Sequence, residues 1–168
     1  MALASIDGVS IYYEVYGAQH APPLFLTYCL GGNCTWLRPQ AEALAERYRV
    51  VLWDPRGHGG SGSPSDPTAY SITRSAHDLA GLLEQLQIER AHVGGLSMGG
   101  GISARFAQLY PQRPLSLSIL DSNTASAQPL APRTIEVRTR TAELCDAGDM
   151  GAAARYFLAN SPPYRLFA

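Results

Sequence analysis

The chain has 168 residues, 46% hydrophobic and 16% charged, with 13 basic against 14 acidic side chains for a net charge of −1. It is long enough and apolar enough for one buried core and too apolar for a disordered tail. With no basic stripe and no polybasic run, its charge excludes nucleic acid and anionic membrane as partners.

Residues Met1 to Ser10 show no positively charged segment followed by an apolar run, and no apolar stretch is long enough to span a bilayer. A cytoplasmic setting is therefore expected. Cys29, Cys34 and Cys145 are an odd set without CxxC spacing or a histidine cluster, so free thiols and no metal are expected. A disulfide between Cys29 and Cys34, five apart near Gly31-Gly32, is disfavoured in a reducing compartment.

In chain order, Val9–Tyr16 is rich in β-branched and aromatic residues and reads as a strand ending at Gly17. After Pro22-Pro23, the continuous apolar run Leu24–Cys29 reads as a buried strand. Trp36–Tyr48 carries Trp36, Leu37, Ala41, Leu44 and Ala45 at helical spacing. Arg49–Trp53 is the next buried strand, and Asp54–Pro67, dense in Gly, Pro, Ser and Asp, is a loop. Tyr70–Gln87 places Ile72, Ala76, Leu79, Leu83 and Leu86 on one helical face. Ala91–Leu96 reads as a strand, Met98–Leu109 as a helix closed by Tyr110-Pro111, and Leu115–Asp121 as a strand. A polar loop, Ser122–Pro132, leads to two weaker helical stretches at Arg133–Cys145 and Asp149–Asn160. Strands alternating with helices predict an α/β fold, a mostly parallel sheet with helices on both faces.

The chemistry is concentrated in Gly95-Leu96-Ser97-Met98-Gly99, set between a predicted strand and a predicted helix. A serine projecting from so tight a turn holds a strained backbone, and the residues two before and two after it must be small. Gly95 and Gly99 satisfy that demand. The helix beginning at Met98 points free N–H groups and a partial positive charge to where an oxyanion would develop. Ser97 is thus a candidate nucleophile. Nucleotide binding fails on detail, because Gly94–Gly101 lacks the lysine of a phosphate-binding loop and the third glycine of a dinucleotide fingerprint. No cofactor motif is present.

The elbow, together with Asp54-Pro55-Arg56-Gly57-His58-Gly59-Gly60-Ser61, resembles the α/β-hydrolase superfamily, whose loop reads D-x-R-G-x-G-x-S. The likeness runs from about Val9 to Asp121, covers the family's strands two to six, and makes residues 1–121 the N-terminal part of the core. Residues 122–168 resemble the start of its helical cap. The resemblance implies that Ser97 is the nucleophile and that the Met98 N–H supplies half of an oxyanion hole. The other half follows a His-Gly pair in the family; here the stretch is Thr27-Tyr28-Cys29-Leu30-Gly31-Gly32, which puts Tyr28 in the histidine's place and makes Leu30 the second N–H donor. A loop without the His-Gly pair, with Tyr70–Ile72, Ile88–His92 and Ser122–Ala125, is similar to 3-oxoadipate enol-lactonases. The activity implied is hydrolysis of a small ester or lactone through an acyl-enzyme.

The family's acid and histidine come after its serine, yet His20, His58, His77 and His92 all precede Ser97. His58 is expected to brace its loop, His77 and His92 to be surface or packing residues, and His20 to lie in a turn. Asp121 ends the sixth strand, where the superfamily occasionally carries its acid, and is expected rather to cap the next turn; Asp146 and Asp149 are expected to be solvated. The chain also reads as ending inside the cap, which leaves the sixth strand a bare edge open to pairing with a second copy. The alternative to a hydrolase is a truncated, non-catalytic module of the same fold.

Overall fold

The computed structural model describes residues 2–122 and 132–160. Six strands form one sheet in the order β1-β2-β4-β3-β5-β6: β1 (Ala2–Ile6), β2 (Val9–Tyr16), β3 (Pro23–Thr27), β4 (Arg49–Trp53), β5 (Ala91–Leu96) and β6 (Pro114–Leu120). The strands from β3 to β6 run parallel, and β2 is antiparallel to both β1 and β4.

Strand β1 is an addition to the elements expected from sequence. Its Ala-rich run has weak strand propensity. What makes it is the hairpin turn Asp7-Gly8, where both residues have positive φ (49° and 74°) and Ile6 pairs with Val9. Two positive φ angles match the right-handed twist of paired strands, which is why Asp-Gly is favoured there.

The helices are α1 (Arg38–Leu44), α2 (Ile72–Gln85) and α3 (Met98–Leu109) over the sheet, followed in sequence by α4 (Pro132–Asp146) and α5 (Met150–Asn160). The single helix expected over Trp36–Tyr48 is instead a 3-10 turn, Cys34–Leu37, followed by the shorter α1. Pro39 explains the break: lacking an N–H, it fits only the first turn of an α-helix. The strand expected over Leu24–Cys29 stops at Thr27. Helix α2 starts later than expected, at Ile72, because the Ser71 hydroxyl caps it by accepting from the Arg74 N–H at 3.0 Å. Ile72, expected on its apolar face, is exposed.

Alternation along the central strands splits the core in two. Val51, Trp53, Phe25 and Val93 face α2 and α3, where Leu79, Leu82, Leu83, Ile102 and Phe106 are fully buried. Val50 and Leu52 face the other way, onto Cys34 and Ala41. Each such leucine contributes about 2 kcal/mol by leaving water. Covered on both faces, β3 and β4 read in sequence as nearly continuous apolar runs.

This topology fixes where a ligand can bind. The chain leaves β3 by way of α1 toward β4 on one side, and leaves β5 by way of α3 toward β6 on the other. Between the carboxyl ends of β3 and β5 the two connections part, and such a switch point opens a crevice.

Strand β6 is the sheet edge, with Leu117 and Ile119 about 40% exposed. Helices α4 and α5 form a unit of their own. Their turn carries Gly148 at φ 78°, and Asp149 caps α5 by accepting from the Ala152 N–H at 2.8 Å, a structural part beyond the solvation expected of it. Asp146 ends α4 in solvent. No helix among the described residues is long and apolar enough to cross a membrane.

Candidate active site

Ser97 is at the bend where β5 hands over to α3, with φ 52° and ψ −111°, a conformation rarely tolerated with a side chain present. Three backbone contacts impose it. The Ser97 N–H donates to the Leu120 carbonyl on β6 at 2.9 Å, and the Ser97 carbonyl accepts from the Gly101 N–H at 3.1 Å and from the Ser122 hydroxyl at 2.6 Å. The side chain itself is exposed, and its hydroxyl neither caps α3 nor hydrogen-bonds any described residue.

The flanking glycines are demanded by space. A Cβ on Gly95 would overlap the main chain of Gly99 and the Thr27 carbonyl, and a Cβ on Gly99 would overlap the carbonyls of Thr27 and Tyr28. The elbow is therefore pressed against the end of β3. That contact brings the 28–34 stretch, expected to hold the second oxyanion donor, alongside the serine's turn. Met98 heads α3, so its N–H belongs to the first-turn groups that a helix leaves unpaired. Leu30 lies in a turn closed by the Gly32 N–H on the Cys29 carbonyl at 3.2 Å; its side chain is 54% exposed, and its own N–H has no partner among the described residues.

The 28–34 loop is held by side chains from far away in sequence. Asp54, 2% exposed, accepts the buried Cys34 N–H at 2.6 Å through one carboxylate oxygen and the Gly60 N–H at 2.9 Å through the other. At its far end the loop joins Arg38, whose guanidinium pairs with Glu14 on β2. Glu14, 3% exposed, also accepts from the Tyr12 hydroxyl at 2.6 Å and from Tyr16. The Arg38 hydrogen bonds, then those of the two phenols, overcome burial and bring the Glu14 carboxyl down to about 2. Tyr28 stacks its ring on Trp36, with centroids 5.9 Å apart and planes 7° from parallel, and this ring is why Gly32 has no room for a Cβ.

Every polar residue of the D-x-R-G-x-G-x-S loop is committed to structure. Arg56 forms a fully buried bidentate pair with Asp78 on α2 at 2.7 and 2.6 Å and also donates to the Ala69 carbonyl. The Ser61 hydroxyl donates to the Asp54 carbonyl and accepts from the Tyr12 N–H. His58 turns its Nδ1 toward the Arg56 carbonyl at 3.2 Å. Neither Asp78 nor Glu14 stood out in sequence, because nothing local marks a carboxylate whose partner is 22 or 24 residues distant.

None of the four histidines reaches Ser97. His77 bonds the Tyr110 hydroxyl at 2.7 Å, His92 bonds Ser116 at 2.8 Å, and His20 is in an exposed turn. Asp121 follows β6 at φ 43°, and the turn it was expected to cap lies outside the described residues. The three cysteines are unpaired. Burial, with the Asp54 charge beside it, pushes the Cys34 thiol up to about 12, which keeps it protonated and unreactive at neutral pH. No group of three or more candidate metal ligands converges among the described residues.

Comparison with known proteins agrees with this geometry. A family model described as the alpha/beta hydrolase fold matches residues 22–141. An Azorhizobium caulinodans protein provisionally named carbamate hydrolase RutD is 41% identical over 140 residues, covering 83% of this chain and 51% of its own length. The 3-oxoadipate enol-lactonase 2 of Acinetobacter baylyi is 33% identical over 118 residues, covering 70% of this chain and 43% of its own. The chain thus spans about half the length of the curated relatives it matches. Among solved structures, a hydrolase from Pseudomonas aeruginosa PA01 superposes with a TM-score of 0.81 at 34% identity, over 98% of this chain and 60% of that one. The enol-lactonase from Burkholderia xenovorans LB400 superposes with a TM-score of 0.76 at 30% identity, over 97% and 61%. A sheet with its strained serine elbow at the switch point, a family match across most of its length and relatives that are hydrolases by name together establish that this chain belongs to the α/β-hydrolase family.

Proposed function

We propose that the chain is the nucleophile-bearing part of a cofactor-free serine hydrolase acting on a small carboxylic ester or lactone. The observation that carries this reading is the Ser97 turn: a strained, exposed serine at a helix N-terminus, its hydroxyl unencumbered and its neighbours forced to be glycine. Such strain persists only where the surrounding structure enforces it, and it concentrates at reactive positions.

In this reading the Ser97 Oγ attacks the substrate carbonyl carbon and gives its proton to a base. The carbonyl oxygen takes the negative charge and rests on the N–H groups of Met98 and Leu30. The tetrahedral centre then expels its alkoxide or enolate, which leaves with the proton, and water releases the acyl group by the same path. With a lactone the expelled oxygen stays tethered to the acyl group, and water cuts the acyl-enzyme to release a single ring-opened acid. Carbamate and enol-lactone, the chemistries in the relatives' names, both pass through such a centre.

The base is the part the described residues do not bring to Ser97. We assign it to the further length by which the curated relatives exceed this match, since the family's acid and histidine follow its serine. That gap also gives the second reading its force, a hydrolase-like module that binds without turnover.

A fluorophosphonate probe with a p-nitrophenyl ester separates the two. Labelling and hydrolysis in the native gene product, both abolished in Ser97→Ala, are the expected result. A native protein that takes up no probe would leave only the binding module.

A further inference from the structure

We propose that Ser122 is a positioning residue for the oxyanion donor, acting through the Ser97–Met98 peptide; the inference rests on the reading of Ser97 as the nucleophile. Ser122 follows β6, 25 positions from the elbow, yet its hydroxyl donates to the Ser97 carbonyl oxygen at 2.6 Å. That carbonyl belongs to the same peptide unit as the Met98 N–H. A trans peptide is planar, with its C=O and N–H pointing to opposite sides. Fixing the oxygen therefore aims the N–H. A hydrogen bond donated to the oxygen also polarises the unit and strengthens the N–H as a donor.

The helix alone would hold this peptide more loosely. Its own bond from the Gly101 N–H to the same oxygen is 3.1 Å long, and the unit has to stay in place next to a residue at φ 52°. The glycine run after the serine is explained by this contact as well. A Cβ on Gly100 would come within 2.7 Å of the Ser122 Cβ and 2.9 Å of its Oγ, so Gly100 keeps open the space through which the hydroxyl reaches the elbow. The elbow motif requires glycine at 95 and 99; the demand at 100 comes first from Ser122 and then from the Gly95 carbonyl oxygen, 3.0 Å from where a Cβ would stand.

The test uses the native gene product with Ser122→Ala, Ser122→Thr and Gly100→Ala. It reads the rate of fluorophosphonate labelling at Ser97, kcat and KM on a p-nitrophenyl ester, and the same on its thiono analogue, whose sulfur gains little from N–H donors. Ser122→Ala is expected to lower kcat and the labelling rate about tenfold, a fraction of what losing a whole oxyanion donor costs, with KM changed less than about twofold. The ester-to-thionoester ratio should shrink. Ser122→Thr, which retains the hydroxyl, should restore both, and Gly100→Ala should behave like Ser122→Ala. A ratio and a labelling rate that do not move in Ser122→Ala overturn this inference while leaving Ser97 as the nucleophile. No labelling of the unsubstituted protein overturns both.

Discussion

The two stretches that meet at the carboxyl ends of β3 and β5 are held by opposite means. The elbow around Ser97, besides its bonds to Leu120, Gly101 and Ser122, is confined by collision: glycines at 95 and 99 lie against main chain that cannot give way. The 28–34 loop is fixed by tethers, the Asp54 carboxylate on the Cys34 N–H and, just beyond its end, Glu14 on Arg38. Collision is written into a short motif and can be read from five consecutive residues. Tethers come from 20 and 24 positions away and leave no local trace.

The difference should be measurable first in stability. Gly99→Ala is expected to have the largest effect, about 4 kcal/mol of lost stability in urea or thermal unfolding, because the new methyl meets the carbonyls of Thr27 and Tyr28 and neither can rotate away without disturbing β3. A loss under about 1 kcal/mol would mean that the elbow yields, and the contrast with the loop would collapse.

The second effect is set by pH. The Glu14 carboxyl, usually near 4.5, is held at about 2 in the folded chain, first by Arg38 and then by the phenols of Tyr12 and Tyr16. The folded state thus binds fewer protons than the unfolded one in between, so the stabilisation is complete above pH 4.5 and drains away as pH falls toward 2. It amounts to about 3 kcal/mol at full strength. Unfolding free energies measured across this window should slope accordingly, and Arg38→Met should flatten the slope. An unchanged slope in Arg38→Met would remove Glu14 from the loop's anchorage.

What was legible in the sequence follows the same division. Strands β2, β4 and β5 and helix α3 fall where side-chain pattern places them, because each is governed by its own period and bounded by glycine, proline or charge. The Ser97 turn was legible for the same reason. Strand β1 was missed although Asp7-Gly8 announced a hairpin, since Ala-Leu-Ala-Ser-Ile has a single β-branched residue, Ile6, to mark a strand. The early stop of β3 was not legible, because the distant Asp54 holds the loop that follows it; the 3-10 turn before α1 was signalled by Pro39 and overlooked. The elbow's third constraint, Ser122 against Gly100, was likewise hidden by a separation of 22 positions.

Asp54→Asn should come third. The amide can still accept one N–H but presents its own N–H₂ to the other, so either Cys34 or Gly60 keeps a donor without a partner. A loss of about 2 kcal/mol is expected. Faster deuterium exchange should appear at the Cys34 amide with no change along α3. Exchange that rises equally at the elbow would show that the two halves share one support.

The smallest effect separates strain from collision by repeating the Gly99 substitution where there is room. Gly31, in the loop, has φ 77° and nothing within 4 Å of where a Cβ would stand. Gly31→Ala therefore costs only the left-handed backbone that an L side chain disfavours, about 1 kcal/mol. Gly99 lies inside α3 without a positive φ, where alanine meets no backbone penalty, so its whole cost of about 4 kcal/mol reports the packed main chain, while the about 1 kcal/mol at Gly31 reports backbone conformation alone. If Gly99→Ala costs no more than Gly31→Ala, the main chain behind Gly99 yields, and the steric account of Gly95 and Gly99 fails with it.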